Sequence, residues 1–210
     1  QMCIRDRVYG EPDSSIVFED TPTVPINPYG QSKLVSELAL ANASRAWGLR
    51  AVALRYFNVA GAEDAILADT TTTNLMPAIR DVITRGQRLS VFGDDYPTVD
   101  GTCVRDYVHV VDLAEAHLAA LPAVQGSTDP ATRIYNVGTG SGSSVLEVVD
   151  AFRRRPGVDP DYDIQPRRPG DPGALTADVS LIEKELGWVA RYTRDDIVTS
   201  VIDFPPRLVT

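Results

Sequence analysis

The chain has 210 residues, enough to bury one good core, in one lobe or two. Its 43% hydrophobic and 23% charged residues are ordinary for a globular domain, and a net charge of −9 with a pI near 4.7 leaves no basic face for nucleic acid. No apolar run approaches the ~18 residues that span a bilayer, no signal-peptide pattern is visible, and two distant cysteines, Cys3 and Cys103, suit reduced thiols in the cytoplasm rather than a disulfide framework.

Residues 1–7 are polar and unpatterned, so they are set aside as an artefactual leader. Three prolines and many polar residues make 11–27 a loop. Asn27-Pro28 then opens a helix, with Pro28 in its first turn, and Gly48 closes it. Ala51–Tyr56 is an apolar run suited to a strand buried on both faces. A loop from Asn58 to Thr73 precedes a helix over Asn74–Arg85 that stops at Gly86. Leu89–Phe92 is a short strand, 93–101 a polar turn, and Val104–Val111 a strand. Asp112 is expected to cap a helix running to about Leu121, and Arg133–Val137 is a further strand. Ser144 with Glu147, and Ser180 with Glu183, have the spacing of capping boxes. The first opens a helix whose solvated end is Arg153–Arg155, and the second opens a short helix closed by Gly187. Alternating strands and helices predict an α/β fold with a largely parallel sheet.

The chemistry starts at Tyr29 and Lys33. Four residues apart on a helix, a phenol and an ammonium share one face. A nearby cation favours the phenolate of a group that otherwise titrates near about 10, so Tyr29 can serve as a general base toward a hydroxyl. The spacing alone also fits an ordinary surface pair, although only two of the twenty basic residues are lysines.

The surrounding motifs extend that reading. Asn27-Pro28-Tyr29-Gly30-x-Ser32-Lys33 and Leu54-Arg55-Tyr56-Phe57-Asn58-Val59-x-Gly61 resemble the extended short-chain dehydrogenase/reductases. Phe92-Gly93-x-Asp95-Tyr96-x-Thr98-x-Asp100-Gly101-Thr102 and Val104-Arg105-Asp106-Tyr107-Val108-His109 look like the UDP-glucose 4-epimerase branch in particular. The resemblance continues through Ile134–Gly138 and Pro166–Asp171 to Trp188 and spans roughly 8–203.

The resemblance implies the C-terminal part of a Rossmann-like parallel sheet plus a smaller α/β lobe for a sugar nucleotide. Residues 8–58 would end the NAD-binding domain and 59–210 would mainly bind substrate, with about 104–138 returning to the Rossmann sheet. It implies NAD as cofactor, a UDP-hexose as substrate, and interconversion of UDP-glucose and UDP-galactose through oxidation and re-reduction at the sugar C4. Tyr29 and Lys33 would be catalytic and would also touch the cofactor, with Tyr56 and Phe57 beside it. Asn58 and Asn74 would meet the diphosphate and sugar, Ser90, Val91 and Phe92 the uracil, and Arg105 and Arg168 the pyrophosphate, with Leu75 and Asp171 also among the substrate-binding residues. Guanidinium forks suit a pyrophosphate, although Arg105 and Arg168 could equally pair with Asp106 and Asp171, and Phe92 could be a core residue. Leu175 stands where family members often carry Tyr or Cys beside the sugar, so tolerance of N-acetylated sugars stays open.

Other readings also remain open: a nucleotide-sugar 4,6-dehydratase, or a non-catalytic UDP-sugar-binding fragment. The 210 residues contain neither the family's glycine-rich cofactor loop nor its serine, whose place is held by Arg5. The expectation is an N-terminally truncated chain that binds NAD poorly and is inactive alone. A homodimer of the full-length protein is possible. Gly138–Gly142 lacks the dinucleotide fingerprint because position 143 is Ser. His109 and His117 suggest no metal site, and Asp94, Asp95 and Asp100 lack calcium-loop spacing.

Overall fold

The computed structural model describes residues 2–5, 8–125 and 131–206. In chain order its elements are β1 (Met2–Arg5), β2 (Ile16–Val17), α1 (Pro28–Trp47), β3 (Ala51–Tyr56), β4 (Asn58–Ala60), α2 (Leu75–Arg85), β5 (Leu89–Phe92), β6 (Val104–His109), α3 (Val110–Gln125), β7 (Thr132–Val137), β8 (Gly142–Ser144), α4 (Val145–Arg153), β9 (Tyr162–Gln165), β10 (Ala174–Ala177), α5 (Ser180–Leu186) and α6 (Arg194–Asp203). The α/β class and the parallel sheet agree with the sequence. Among the described residues every strand pair is parallel except β6 with β8.

Among the described residues the strands form three sheets. One has the order β1-β3-β7, the second runs β2-β10-β6-β4 with β8 on β6, and the third is β5-β9. Strand alternation on β3 explains why its run is apolar throughout. Val52 and Leu54 face Ala116 and Ala120 of α3 and Ile182 of α5, while Ala53 joins a cluster against Leu34 and Leu40 of α1. A third cluster gathers Met76 and Ile79 of α2, Val148 and Phe152 of α4 and Ile197 and Val201 of α6 around Tyr107 of β6.

Helix ends follow their capping chemistry. Asn27 Oδ1 accepts from the Gly30 N–H at 2.8 Å, and Gly48, Gly86 and Gly187 stop their helices in left-handed conformations. Ser144 and Glu147 form the expected box. Arg153, Arg154 and Arg155 end α4 in surface pairs with Asp150 and Asp159, Asp195, and Asp203.

Several expectations are corrected. Met2–Arg5, set aside above, lies parallel to Ala53–Tyr56; Gln1, Asp6 and Arg7 lie outside the described residues. Loops 11–27 and 58–73 each contain a short strand, and β8, β9, β10 and α6 were unread. Asp112 does not cap α3, which begins at Val110. Its carboxylate instead accepts the Arg191 and Tyr192 N–H groups at 3.1 Å each. Ser180 and Glu183 form no box either: the Ser180 hydroxyl turns back to Asp178. No helix among the described residues is long and apolar enough to cross a membrane.

Candidate active site

β6 supplies the floor of the main cleft by simple alternation. Cys103, Arg105 and Tyr107 point into a cavity of about 200 Å³. Asp106 points the other way and is fully buried. Its carboxylate accepts from Thr139 N–H and O–H, Gly140 N–H and Ala177 N–H at 2.7–3.3 Å, and burial pushes its pKa up. The glycine turn after β7 thus holds a protein carboxylate, and Gly138 is required there because a Cβ would lie 2.5 Å from Asp106 Oδ2.

The cleft walls come from β4, the start of α2, β5 and the segment after β9. Asn58, Asn74, Leu75, Ser90, Val91, Phe92, Arg105, Arg168 and Asp171 all line it. The alternative of a direct Arg105–Asp106 pair is not what holds Asp106. Arg105 is buried, with Nη1 donating to the Val104 carbonyl at 2.8 Å. Arg168 lies over the Phe92 ring, 3.6 Å from its centroid. Asn74 occupies the N-cap position of α2 without capping it, and donates to Asp69 Oδ2 at 2.8 Å. Asn58 Nδ2 is buried and has no hydrogen-bond partner among the described residues. Such a donor is costly unless an acceptor meets it.

Tyr29 and Lys33 sit outside this cavity, on the first turns of α1. Tyr29 is 44% exposed, and the Lys33 ammonium lies 5.2 Å from its ring centroid. A separate small chamber shares Arg105 with the cleft. Asn27, which caps α1, lines it together with Gly10, Ile26, Arg105 and Leu175. Leu175 is 2% exposed and stands opposite Arg105 in the β10–β6 register. Tyr56 is half-buried, and Phe57 is fully buried among Val8, Tyr9, Val17 and Ala177, so its side chain offers no surface to a ligand.

Cys103, Tyr107, Thr72, Thr73 and Val145 line the cleft without having been singled out as site residues. Period-two alternation from Arg105 would have found Tyr107, whose phenol burial pushes up. His109, read as a packed strand residue, is buried, stacks on Tyr192 at 4.2 Å and meets Ser200 Oγ at 3.2 Å. Among the described residues no group of three His, Cys, Asp or Glu is placed to hold a metal.

Comparison with known proteins adds an independent line. The profile of the NAD dependent epimerase/dehydratase family matches residues 6–138. A UDP-glucose 4-epimerase of Azospirillum brasilense is 46% identical over 202 residues, covering 94% of this chain and 58% of that protein. Its counterpart in Bacillus subtilis is 47% identical over 190 residues, covering 88% and 56%. Among solved structures, UDP-glucose 4-epimerase from Bifidobacterium longum, in complex with NAD+ and UDP, matches with a TM-score of 0.87 at 42% identity. That match covers 96% of this chain and 62% of the other. The chain thus spans a little under two thirds of the length of these relatives.

Proposed function

The chain belongs to the NAD dependent epimerase/dehydratase family, and from that membership we propose that the protein carrying it interconverts UDP-glucose and UDP-galactose with NAD. The observation that carries the reading is the cleft: two arginines, Arg105 and Arg168, line the same cavity as Asn58, whose Nδ2 is buried and has no hydrogen-bond partner among the described residues. A diphosphate supplies the acceptors that this donor set lacks.

On this reading 59–210 mainly bind the UDP-sugar and 8–58 belong with the cofactor side, to which β7 is joined through β3. Ser90, Val91 and Phe92 would lie along the uracil, while Arg105, Arg168, Asp171, Asn58, Asn74 and Leu75 would hold the diphosphate and sugar. The sugar must present both faces of C4 in turn, so binding energy concentrated on the nucleotide lets it swing without release. Arg105 of the cleft and Asn27, two residues before Tyr29, line one small chamber, and on this reading the sugar lies toward Tyr29 while its diphosphate stays in the cleft. Tyr29 would take the proton of the 4-hydroxyl and return it, and Lys33 would hold the phenol and a cofactor ribose hydroxyl. NAD, when bound, supplies reversible hydride acceptance. Its residues here are Tyr29 and Lys33, whose exposed phenol and ammonium suit that contact, with Tyr56 nearby in the chain. Leu175 would border the sugar. Residence in the cytoplasm and pairing of two copies through α1, whose Val35, Leu38 and Trp47 are exposed, belong to the same proposal.

The test is Tyr29→Phe in the enzyme that carries this chain. UDP-galactose conversion should fall by about a thousandfold or more, at the upper end of general-base contributions, while UDP affinity is unchanged. Retained turnover would remove Tyr29 from the chemistry. Equal activity on dTDP-glucose would point to a different nucleotide-sugar reaction.

A further inference from the structure

The Phe92–Thr102 run is the most distinctive motif of the sequence, yet only its first residue lines the cleft. The structure shows what the rest holds. Gln165 ends β9, and Gly173 immediately precedes β10. Between them, 166–172 carries Arg168 and Asp171 to the cleft wall. Both ends of this segment are fastened. The Gly93 N–H donates to the Gln165 carbonyl at 2.8 Å, and the Val104 N–H donates to the Gly173 carbonyl at 2.8 Å.

Between these anchors the segment wraps one buried ring, Tyr96, which is 7% exposed. The Arg167 guanidinium covers it at 4.1 Å from the centroid. On the far side of the segment, a Cβ on Gly173 would come within 3.3 Å of Tyr96 Cδ1. Arg167 Nε also donates to Asp95 Oδ1 at 2.5 Å, and Nη2 donates to the Asp95 carbonyl. Gly93 makes the approach possible: its φ is +84°, and a Cβ there would lie 2.6 Å from the Tyr96 ring and 2.8 Å from Arg167 Cγ. Arg167, Asp95 and Tyr96 do not line the cleft; the next residue, Arg168, does, over Phe92. Two consecutive arginines therefore split their roles, one clasped to the motif and one presented to the cavity.

We propose that Arg167 is a positioning residue for the nucleotide cleft, latched by Asp95 and Tyr96 so that Arg168 is held facing the ligand. The proposal rests on the reading that this cleft takes a nucleoside diphosphate. The latch lowers the entropy lost when a charged loop residue is immobilised on a ligand, and a planar fork stacked on an aromatic ring suits the task better than an ammonium.

Calorimetric titration of UDP into the enzyme that carries this chain tests it. Arg167→Ala should raise the UDP Kd about tenfold, the scale of losing a cation–π contact and its ion pair. Asp95→Ala should also raise it, by about threefold. The second variant separates the latch from simple charge. Removing a carboxylate near a dianion tightens binding if only the long-range field acts, whereas losing the latch weakens it. In an Arg168→Ala background, Arg167→Ala should add no further loss, because the effect passes through Arg168. UDP affinity indifferent to Arg167→Ala, tighter binding by Asp95→Ala, or additive losses in the double variant would each overturn the latch alone. An unsubstituted enzyme that binds no UDP overturns the nucleotide reading and the latch with it. Asp95 is 70% exposed, so Asp95→Ala remains informative if Arg167→Ala does not fold.

Discussion

Glu37 and Arg55 carry opposite charges into a region water barely reaches, with side chains 8% and 3% exposed. Arg55 donates through Nε and Nη2 to the Glu37 carboxylate, and through Nη1 to Tyr9 Oη and the Glu19 carbonyl, each at 2.9 Å. Tyr9 in turn donates to Asn136 Oδ1. Glu37 shares roughly one 80° arc of α1 with Tyr29 and Lys33, by 100° per residue, so the pair also fixes how α1 is turned. Glu37→Ala should therefore cost about 3–5 kcal/mol in chemical denaturation, since it strands a buried guanidinium. Replacing both by Leu and Met should cost far less. Burial raises the Tyr9 phenol from 10.0 to about 12. The folded state thus keeps the neutral form longer, and this contribution is complete below pH 10.0 and lost as pH rises through about 12. Circular dichroism across that range should show a shallower alkaline loss in Tyr9→Phe than in the parent. None of this network was visible in the sequence, where Arg55 looked like one polar residue in an apolar strand. Its partners lie 18, 36 and 46 positions away along the chain.

Elements announced by several local signals at once were legible. α1 had its Asn-Pro start and Gly stop, and β3 its unbroken apolar run. Strands of two or three residues were not, because β2, β4 and β8 are too short to display a period of two and are made by their neighbours. Local spacing also misled. Ser144 and Thr193 cap their helices, while Ser180, with the same spacing to Glu183, turns its hydroxyl to Asp178 instead. α6 tests how far the lobe is modular. Thr193→Ala should cost about 1 kcal/mol in thermal or chemical unfolding, with UDP affinity unchanged, because the cap lies outside the cleft lining. Its partner Asp196 is held below the usual carboxylate value of 3.8 by the Thr193 hydroxyl and N–H. That stabilisation is present above pH 3.8 and lost as pH falls through the depressed value, so the parent and Thr193→Ala should converge in stability under acid.

At the scale of the molecule, acidity governs behaviour in solution. With −9 charges at neutrality and a pI near 4.7, light scattering should find a solubility minimum close to pH 4.7. The sequence by itself determined the class of fold, the main helices, and the residue types suited to a diphosphate and to proton transfer. It could do so because capping, periodicity and ligand chemistry are written within a few consecutive residues. Tertiary structure alone decided that Asn58, Arg105 and Arg168, separated by up to 110 positions, share one cavity, and that Phe57 faces the core instead. It also decided that Asp106 fills the glycine turn and that Arg167 is tied to the Phe92–Thr102 motif. Those outcomes depend on parallel pairing of distant strands, whose register fixes which alternate side chains meet, and no local stretch of sequence encodes that register.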